Sequence, residues 1–187
     1  VNLSCPNIPG KPQIAYDFEA TEKVLASISG LRKKPIGLKL PAYLDRAYHQ
    51  IIADLVLRYG IRFISCINSI GNTLVIDSTR ETSVIAANGG FGGLSGEYIK
   101  PIALANVRIF YELLQGTGVS IFGVGGIRSG KDAFEFLLAG ADGLQVGTCF
   151  MEEGSGCFPR INRELARIFE SKGYASINDV KGKLKTL

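Results

Sequence analysis

The sequence predicts an α/β protein in which helices cover a parallel sheet. Short apolar segments alternate with longer amphipathic segments four to five times along the 187 residues. The short segments are apolar at nearly every position, which is typical of parallel strands that are buried on both faces. They end in polar or glycine-bearing turns, the positions at which parallel α/β proteins bind their ligands. The length suits a single domain over residues 1–187.

In the first part of the chain, potential helix caps and helix-ending glycines mark the elements. Asp17 and Asp45 can each cap a helix whose apolar residues recur at helical spacing. Gly30 and Gly60 would end those helices. The predicted elements are a strand end at residues 1–3, helices at residues 17–29 and 45–59, and strands at residues 36–40 and 61–67.

The alternation breaks after residue 72 and returns near residue 101. Two short extended arms, residues 74–76 and 83–85, precede a glycine-rich run at residues 89–96. This excursion is too long for a plain connection, so it predicts a functional or interface loop. The elements predicted after it are helices at residues 101–114, 129–138, 156–172 and 176–184, and strands at residues 119–124 and 142–146.

Two topologies accommodate this pattern, an open doubly wound sheet and a (β/α)₈ barrel. The last two strands end in Gly125-Gly126 and Gly147-Thr148, and a phosphate site after the seventh and eighth strands is a recurrent barrel feature. Backbone N–H groups and a helix N-terminus hold the anion at such a site. A full barrel needs about 250 residues. We therefore predict the second half of a TIM barrel, truncated before Val1, with the N-terminal strands absent.

Composition excludes several function classes. The net charge is +4, but contiguous basic residues are confined to positions 32–34, and nucleic-acid binding needs a basic stripe or interleaved aromatic residues. No apolar run approaches the roughly 20 residues of a membrane span, and no signal-peptide pattern is present. The four cysteines lack metal-binding spacing, so we expect no metal site and free thiols in a reducing compartment.

The opening segment Asn-Leu-Ser-Cys-Pro-Asn, residues 2–7, concentrates polar groups where a strand meets a loop. Cys5 could act there as a nucleophile or a base, flanked by the amides of Asn2 and Asn7. The alternative is that Cys5 is a small buried residue and that the asparagines only form turns. Similarly, His49 is expected to be a surface or half-buried helical residue rather than a ligand.

Several segments together resemble the dihydroorotate dehydrogenases, specifically the soluble class 1A enzymes. The likeness runs in order along all 187 residues. Besides the opening segment, it rests on Pro-Gly-Lys-Pro-Gln at residues 9–13, Ala-Tyr-Asp-Phe at 15–18, Gly-Leu-Lys-Leu-Pro at 37–41, and residues 68–72, 90–93, 101–106, 125–127 and 145–148.

The resemblance implies an FMN-containing (β/α)₈ barrel that oxidises dihydroorotate to orotate in pyrimidine biosynthesis. Cys5 matches the catalytic base, a role open to a thiol because it ionises close enough to neutral pH for both forms to be accessible. Asn2, Asn7, Asn68 and Ser69 match positions that hydrogen-bond the pyrimidine, and amides suit a ring edge that alternates donors with acceptors. The positions that match flavin contacts are Asn2, Lys39, Ile67, Gly96, Gly125, Gly126, Gly147 and Thr148.

In this resemblance, Lys39 would lie near the flavin ring and stabilise its reduced, anionic form. The class also implies a cytoplasmic homodimer that passes electrons to fumarate at the same site, without a second cofactor. Two positions depart from the usual pattern, because Thr73 replaces a glycine and residues 86–88 read Ala-Ala-Asn in place of a basic run.

Two alternatives remain open. A related FMN barrel could act on another pyrimidine, although Asn7 favours dihydroorotate. The chain could also be a non-catalytic fragment, and we expect it to be inactive alone unless the missing half is supplied.

Overall fold

The computed structural model describes residues 1–5, 13–31 and 34–187. In chain order, the strands are β1 (Gly37–Leu40), β2 (Phe63–Cys66), β3 (Ile70–Leu74), β4 (Ile76–Asp77), β5 (Thr82–Ser83), β6 (Phe91–Leu94), β7 (Ser120–Val124) and β8 (Gly143–Gln145). The helices are α1 (Phe18–Ile28), α2 (Arg46–Arg58), α3 (Lys100–Leu114), α4 (Gly130–Ala139), α5 (Thr148–Glu153) and α6 (Cys157–Lys172). Short 3₁₀ turns lie at Ile14–Tyr16, Ala87–Gly90, Gly96–Ile99, Gly154–Gly156 and Ile177–Asp179.

The main sheet contains four parallel strands in the order β1, β2, β7, β8. Residues 1–3 extend the sheet beside β1, because the Lys39 N–H donates to the Val1 carbonyl at 2.8 Å and the Leu3 N–H donates to the Lys39 carbonyl at 3.2 Å. Each strand lies beside the strand that precedes it in this sheet, without the reversal of order that a doubly wound sheet requires. This strand order is that of a (β/α)₈ barrel, and it confirms the predicted fold class.

The excursion between β2 and α3 forms two antiparallel pairs, β3 with β6 and β4 with β5. The two predicted arms do pair, although only Ile76–Asp77 and Thr82–Ser83 form the ladder. The strand β6 was not predicted, because its sequence is glycine-rich. The structure gives a reason for one of these glycines, since a Cβ atom on Gly92 would lie 2.6 Å from Cδ1 of Ile85.

The helix caps predicted from the sequence are present. The carboxylate of Asp17 accepts from the Ala20 N–H at 2.9 Å, and that of Asp45 accepts from the Ala47 N–H at 2.8 Å. At the start of α4, Ser129 and Asp132 form a capping box. These contacts satisfy backbone donors that have no partner inside a helix. None of the helices in the described part of the chain is long and apolar enough to cross a membrane.

The prediction of a terminal helix at residues 176–184 is wrong, because only Ile177–Asp179 forms a turn of 3₁₀ helix. The chain that follows bonds to α4 instead. The Gly182 N–H donates to the Leu137 carbonyl at 3.0 Å, and the Leu184 N–H donates to the Leu138 carbonyl at 3.2 Å. These long-range bonds replace the intrahelical ones that the local pattern predicts.

The expectation for His49 is also wrong, since the side chain is buried with 1% exposure. Its Nδ1 lies 2.8 Å from the Asp45 carbonyl oxygen, and its Nε2 lies 3.0 Å from Oδ1 of Asn106. Asn106 is a buried polar residue of α3, and its amide also bonds both backbone groups of Tyr43. A polar partner on the neighbouring helix therefore turns this histidine inward and fixes the loop after β1.

Candidate functional site

A cleft of about 510 Å³ opens at the carboxyl ends of the parallel strands. Ser65 is paired with Lys39 in the ladder between β1 and β2, so both side chains lie at the same level of the sheet. The cleft brings together most of the residues predicted to bind a ligand. Its walls include Lys39, Ile67, Asn68, Ser69, Gly96, Gly125, Gly126, Gly147 and Thr148.

Lys39 is a largely buried cation on the wall of the cleft. Its ammonium group donates to Ser65 Oγ at 3.3 Å, and Ser65 Oγ donates to Gln145 Oε1 at 2.6 Å. Within the described ranges, no carboxylate pairs with this lysine. Burial lowers the pKa of Lys39, and burial also raises the pKa of the adjacent Cys66 thiol to about 12, so that thiol is neutral at pH 7. An uncompensated positive charge is therefore available to a ligand in the cleft.

Sequence reasoning did not identify Ser65 and Gln145 as site residues. Ser65 was detectable in principle, because it is the only hydroxyl within the apolar segment Phe63–Cys66. Gln145 follows two residues after Gly143 and lies far from Ser65 along the chain. The order of the strands in the sheet brings Gln145 into hydrogen-bond contact with Ser65, and local sequence patterns do not show that order.

Replacing Lys39 by methionine is expected to stabilise the fold at neutral pH. Because the pKa of Lys39 is lower in the folded state than in the unfolded state, the charged lysine destabilises the fold at pH 7. Wild-type stability should recover as the pH rises from the folded pKa towards the unfolded value of 10.5. We expect Lys39→Met to raise the melting temperature at pH 7, where each 1 kcal/mol of added stability corresponds to about 2–4 °C for a domain of this size.

Thermal unfolding of the flavin-free protein between pH 7 and pH 10 measures this effect. Lys23→Met is the matched control, since Lys23 is an exposed lysine on α1. A Lys39→Met protein that melts below the wild type at pH 7 would contradict the assignment of a destabilising buried charge.

The predicted amides converge beside the cleft. The side-chain amide of Asn68 donates to the Ser4 backbone carbonyl, and its nitrogen lies 3.4 Å from Oδ1 of Asn2. The Ser4 N–H also donates to Oδ1 of Asn2 at 3.1 Å. Cys5 follows Ser4 directly and is partly exposed, whereas Asn7 lies outside the described residues. Asn2, Ser4 and Asn68 thus form a hydrogen-bonded polar corner immediately before Cys5.

Ser4 is central to this corner, although sequence reasoning gave it no role. It is fully buried, and its hydroxyl lies within 3.3 Å of the Asn2 side chain and of the Lys39 carbonyl. The opening segment therefore connects the thiol of Cys5 with the strand that carries Lys39. The backbone N–H of Ser69 donates to Oδ1 of Asn68 at 2.9 Å, which orients that amide from the other side.

Glycine-bearing backbone forms another part of the wall of the cleft. Gly96, Gly125 and Gly126 have φ angles of +74°, +133° and +76°, values that side-chain-bearing residues rarely adopt. A Cβ atom on Gly126 would lie 2.9 Å from the Gly96 carbonyl oxygen, so these two segments touch. Thr148 Oγ1 lies 3.4 Å from Ser95 Oγ and joins the turn after β8 to the same wall. Successive backbone turns of this kind form a concave surface suited to a phosphate group.

Within residues 1–5, 13–31 and 34–187, no group of three or more His, Cys, Asp or Glu side chains could hold a metal ion. The cleft instead combines one uncompensated ammonium group, neutral amides and exposed glycine backbone. These groups suit an anionic, planar and hydrogen-bonding ligand.

Comparison with known proteins gives a consistent result. The family model described as dihydroorotate dehydrogenase matches residues 1–169. The whole chain is 54% identical to dihydroorotate dehydrogenase (fumarate) of Kluyveromyces lactis, and 52% identical to dihydroorotate dehydrogenase A (fumarate) of Lactococcus lactis. It covers 59% and 60% of those two proteins, respectively, so it spans well under two thirds of the length of these relatives.

The comparison with solved structures concerns the fold. A ligand-free DHODH from Eimeria tenella superposes with a TM-score of 0.74 at 21% identity, over 97% of this chain and 54% of that one. The Eimeria tenella DHODH in complex with ferulenol gives a TM-score of 0.70 at 23% identity, over 97% of this chain and 52% of that one. The four-stranded parallel sheet thus occurs in larger proteins of the same architecture.

Proposed function

The chain belongs to the dihydroorotate dehydrogenase family, and on this premise we propose that the protein oxidises dihydroorotate to orotate in pyrimidine biosynthesis. The proposed cofactor is FMN. The proposed electron acceptor is fumarate, which the names of its relatives contain. One observation carries the proposal. Two hydrogen-bonded amides next to the segment that ends in Cys5, a lysine without a described carboxylate partner, and glycine backbone occur at the carboxyl ends of the strands.

One observation supports a flavin ring, and a second supports a flavin that carries a phosphate. Lys39 offers a positive charge without a described carboxylate partner, which suits a ring that gains negative charge on reduction. The glycine turns at Gly125-Gly126 and Gly147-Thr148 offer backbone N–H groups to a phosphate. Ile67 also lines the cleft and would flank the ring system, and Gly96 lies against Gly126 and would contact the flavin near its phosphate.

The substrate would lie against the polar corner. Asn2, Asn68 and Ser69 would bond the ring edge, with Asn7 as a further proposed ligand. Cys5 would take a proton from one ring carbon, and the bound flavin would accept the hydride that leaves the neighbouring carbon. Loss of that proton and hydride creates the ring double bond of orotate. Transfer of the two electrons and two protons to fumarate would yield succinate and complete the turnover.

A substrate and acceptor panel tests the proposal on the protein at its natural length. We expect one bound FMN per chain, anaerobic bleaching of the flavin absorbance by dihydroorotate, and reoxidation by fumarate. Dihydrouracil, which lacks the carboxylate of dihydroorotate, is the matched control substrate and should bleach the flavin far more slowly. Preferential turnover of dihydrouracil would favour the alternative in which the barrel acts on another pyrimidine, and absence of bound flavin would sink the enzymatic proposal.

We further propose a homodimer that uses the excursion between β2 and α3 as its contact surface. Val75, Ile76 and Val84 are 58%, 64% and 60% exposed, which is unusual for clustered β-branched residues. Sedimentation of the wild type and of an Ile76→Lys variant measures the association, and a monomeric wild type would contradict it.

The class resemblance also supports a cytoplasmic location, which cell fractionation tests.

A further inference from the structure

One arginine outside the cleft links the loop that follows Gly125-Gly126 with the end of the helix that begins at Thr148. Arg160 lies in the first turns of α6, and its guanidinium group reaches the loop after β7 and the helix α5 at once. Its Nη2 donates to the Arg128 carbonyl at 3.0 Å and to Glu153 Oε2 at 2.7 Å, and its Nε donates to the same oxygen at 3.0 Å. Arg128 follows Gly126 by two residues, and Glu153 ends the helix that begins at Thr148.

A second arm of the same guanidinium group reaches the start of α4. Nη1 of Arg160 donates to Glu164 Oε1 at 2.9 Å, and the other oxygen of Glu164 accepts from the Gly130 N–H at 2.7 Å. Gly130 packs directly against α6, because a Cβ atom there would lie 2.4 Å from Cβ of Glu164. The N-terminus of α4 is thereby tied to the same cation.

Charge favours these contacts at neutral pH. Hydrogen bonds from Arg160 hold the pKa of Glu153 below its ordinary value, and the Gly130 N–H together with Arg160 does the same for Glu164. Both carboxylates are therefore ionised while Arg160 is charged. A planar guanidinium group can serve several acceptors in fixed directions, whereas the ammonium of a lysine cannot reproduce this fork.

We propose that Arg160 is a positioning residue that sets the distance between the two phosphate-binding turns. It does not line the cleft, and it acts through the Arg128 carbonyl and through Glu153. Since this inference rests on the proposed FMN site, it concerns the phosphate end of the cofactor. Arg128 also pairs with Glu152 of α5 at 2.6 Å, so loss of Arg160 should loosen the connection between the turns after β7 and β8 without breaking it. The N–H groups of the two turns should then converge less closely on one anion.

Comparing FMN with riboflavin isolates this effect, because riboflavin has the same ring but no phosphate. Dissociation constants are measured by fluorescence quenching on flavin-free protein at its natural length. We expect Arg160→Gln to weaken FMN binding about tenfold, similar to the loss of metal affinity when a residue that orients a metal ligand is removed, and to change riboflavin binding by less than about twofold. Arg160→Lys should be intermediate, and Glu153→Gln should reproduce the selective loss through a different residue.

Arg58→Gln is the matched control variant. Arg58 pairs with Glu22 at 2.6 Å, joins α2 to α1, and lies apart from the cleft. Arg58→Gln should leave the dissociation constants of FMN and of riboflavin unchanged. Hydrogen exchange of flavin-free Arg160→Gln should also be faster at residues 125–130 and 147–153 than in the control.

The possible results distinguish the proposed phosphate site from the proposed role of Arg160. A wild type that binds riboflavin as tightly as FMN would overturn the phosphate site and the role of Arg160 with it. A wild type that prefers FMN, with the same preference in Arg160→Gln and Glu153→Gln, would overturn the role of Arg160 alone. Equal weakening of both flavins would also overturn it, because that result indicates general destabilisation.

Discussion

Cys5→Ala is expected to lower the rate of flavin reduction by dihydroorotate at least about 100-fold while FMN stays bound. Loss of a positioned general base typically costs a factor of about 10² to 10⁴. The amides of Asn2 and Asn68 are held by Ser4 rather than by the thiol, so the substrate pocket should survive the substitution. The predicted loss therefore falls on the chemical step and leaves substrate affinity within a few-fold of the wild type.

Anaerobic single-turnover bleaching of the flavin measures this step directly, because no electron acceptor takes part. Cys157→Ala is the matched control, since Cys157 is a buried cysteine at the start of α6 that does not line the cleft. Cys5→Ser adds a second comparison, because a hydroxyl keeps the shape and polarity but ionises far less readily than a thiol. A Cys5→Ala protein that bleaches at nearly the wild-type rate would refute the base assignment.

The main-sheet elements are predictable from the sequence because their signals are local. β2 and β7 are apolar runs bounded by glycine and polar residues, and α4 carries its own Ser129–Asp132 capping box. Each of these features depends on neighbours within a few positions. Helix and strand propensity, hydrophobic spacing and helix capping therefore all favour the elements that the folded protein contains.

The elements that escaped prediction depend on distant partners. β6 contains two consecutive glycines and becomes a strand only by pairing with β3. The six-residue helix α5 is too short for helical periodicity to be recognised in the sequence. His49 lies inside the protein because Asn106, 57 positions away, offers an oxygen to it. No local pattern contains these contacts.

The residues of the candidate site also differ in whether the sequence alone could identify them. Resemblance to a family supplies the residues that would touch ligands, such as Lys39 and Asn68. It does not supply the residues that hold them in place. Ser4, Ser65 and Arg160 act through bonds to groups 26 to 80 positions away, so only the assembled sheet reveals them.

Gly126→Ala is expected to destabilise the fold and to remove most FMN binding. A Cβ atom there would lie 2.7 Å from Cβ of Lys100 and 2.9 Å from the Gly96 carbonyl oxygen. Lys100 cannot easily move away, because its ammonium group is paired with Asp132 at 2.6 Å and with Glu135 at 2.9 Å. The backbone must therefore shift, and the shift separates Gly96 from Gly126 at the point where the phosphate would bind.

The expected cost has two parts that a control can separate. The φ angle of +76° costs a residue with a side chain about 1–2 kcal/mol, and forced overpacking costs about 1–3 kcal/mol more. Gly116 has nearly the same φ angle, +78°, but no atom lies within 4 Å of its added Cβ. Gly116→Ala should therefore show the backbone part alone and should retain FMN.

Urea unfolding and FMN titration of the two variants measure both quantities. We expect Gly126→Ala to lose about 2–5 kcal/mol of unfolding free energy in total, of which Gly116→Ala loses about 1–2 kcal/mol. The FMN dissociation constant should rise only in Gly126→Ala, because only there does the contact between the wall segments open. If the two variants unfold alike and both keep FMN, then the close approach of Gly126 to Gly96 does not shape the phosphate cradle, and the glycines serve only to turn the chain.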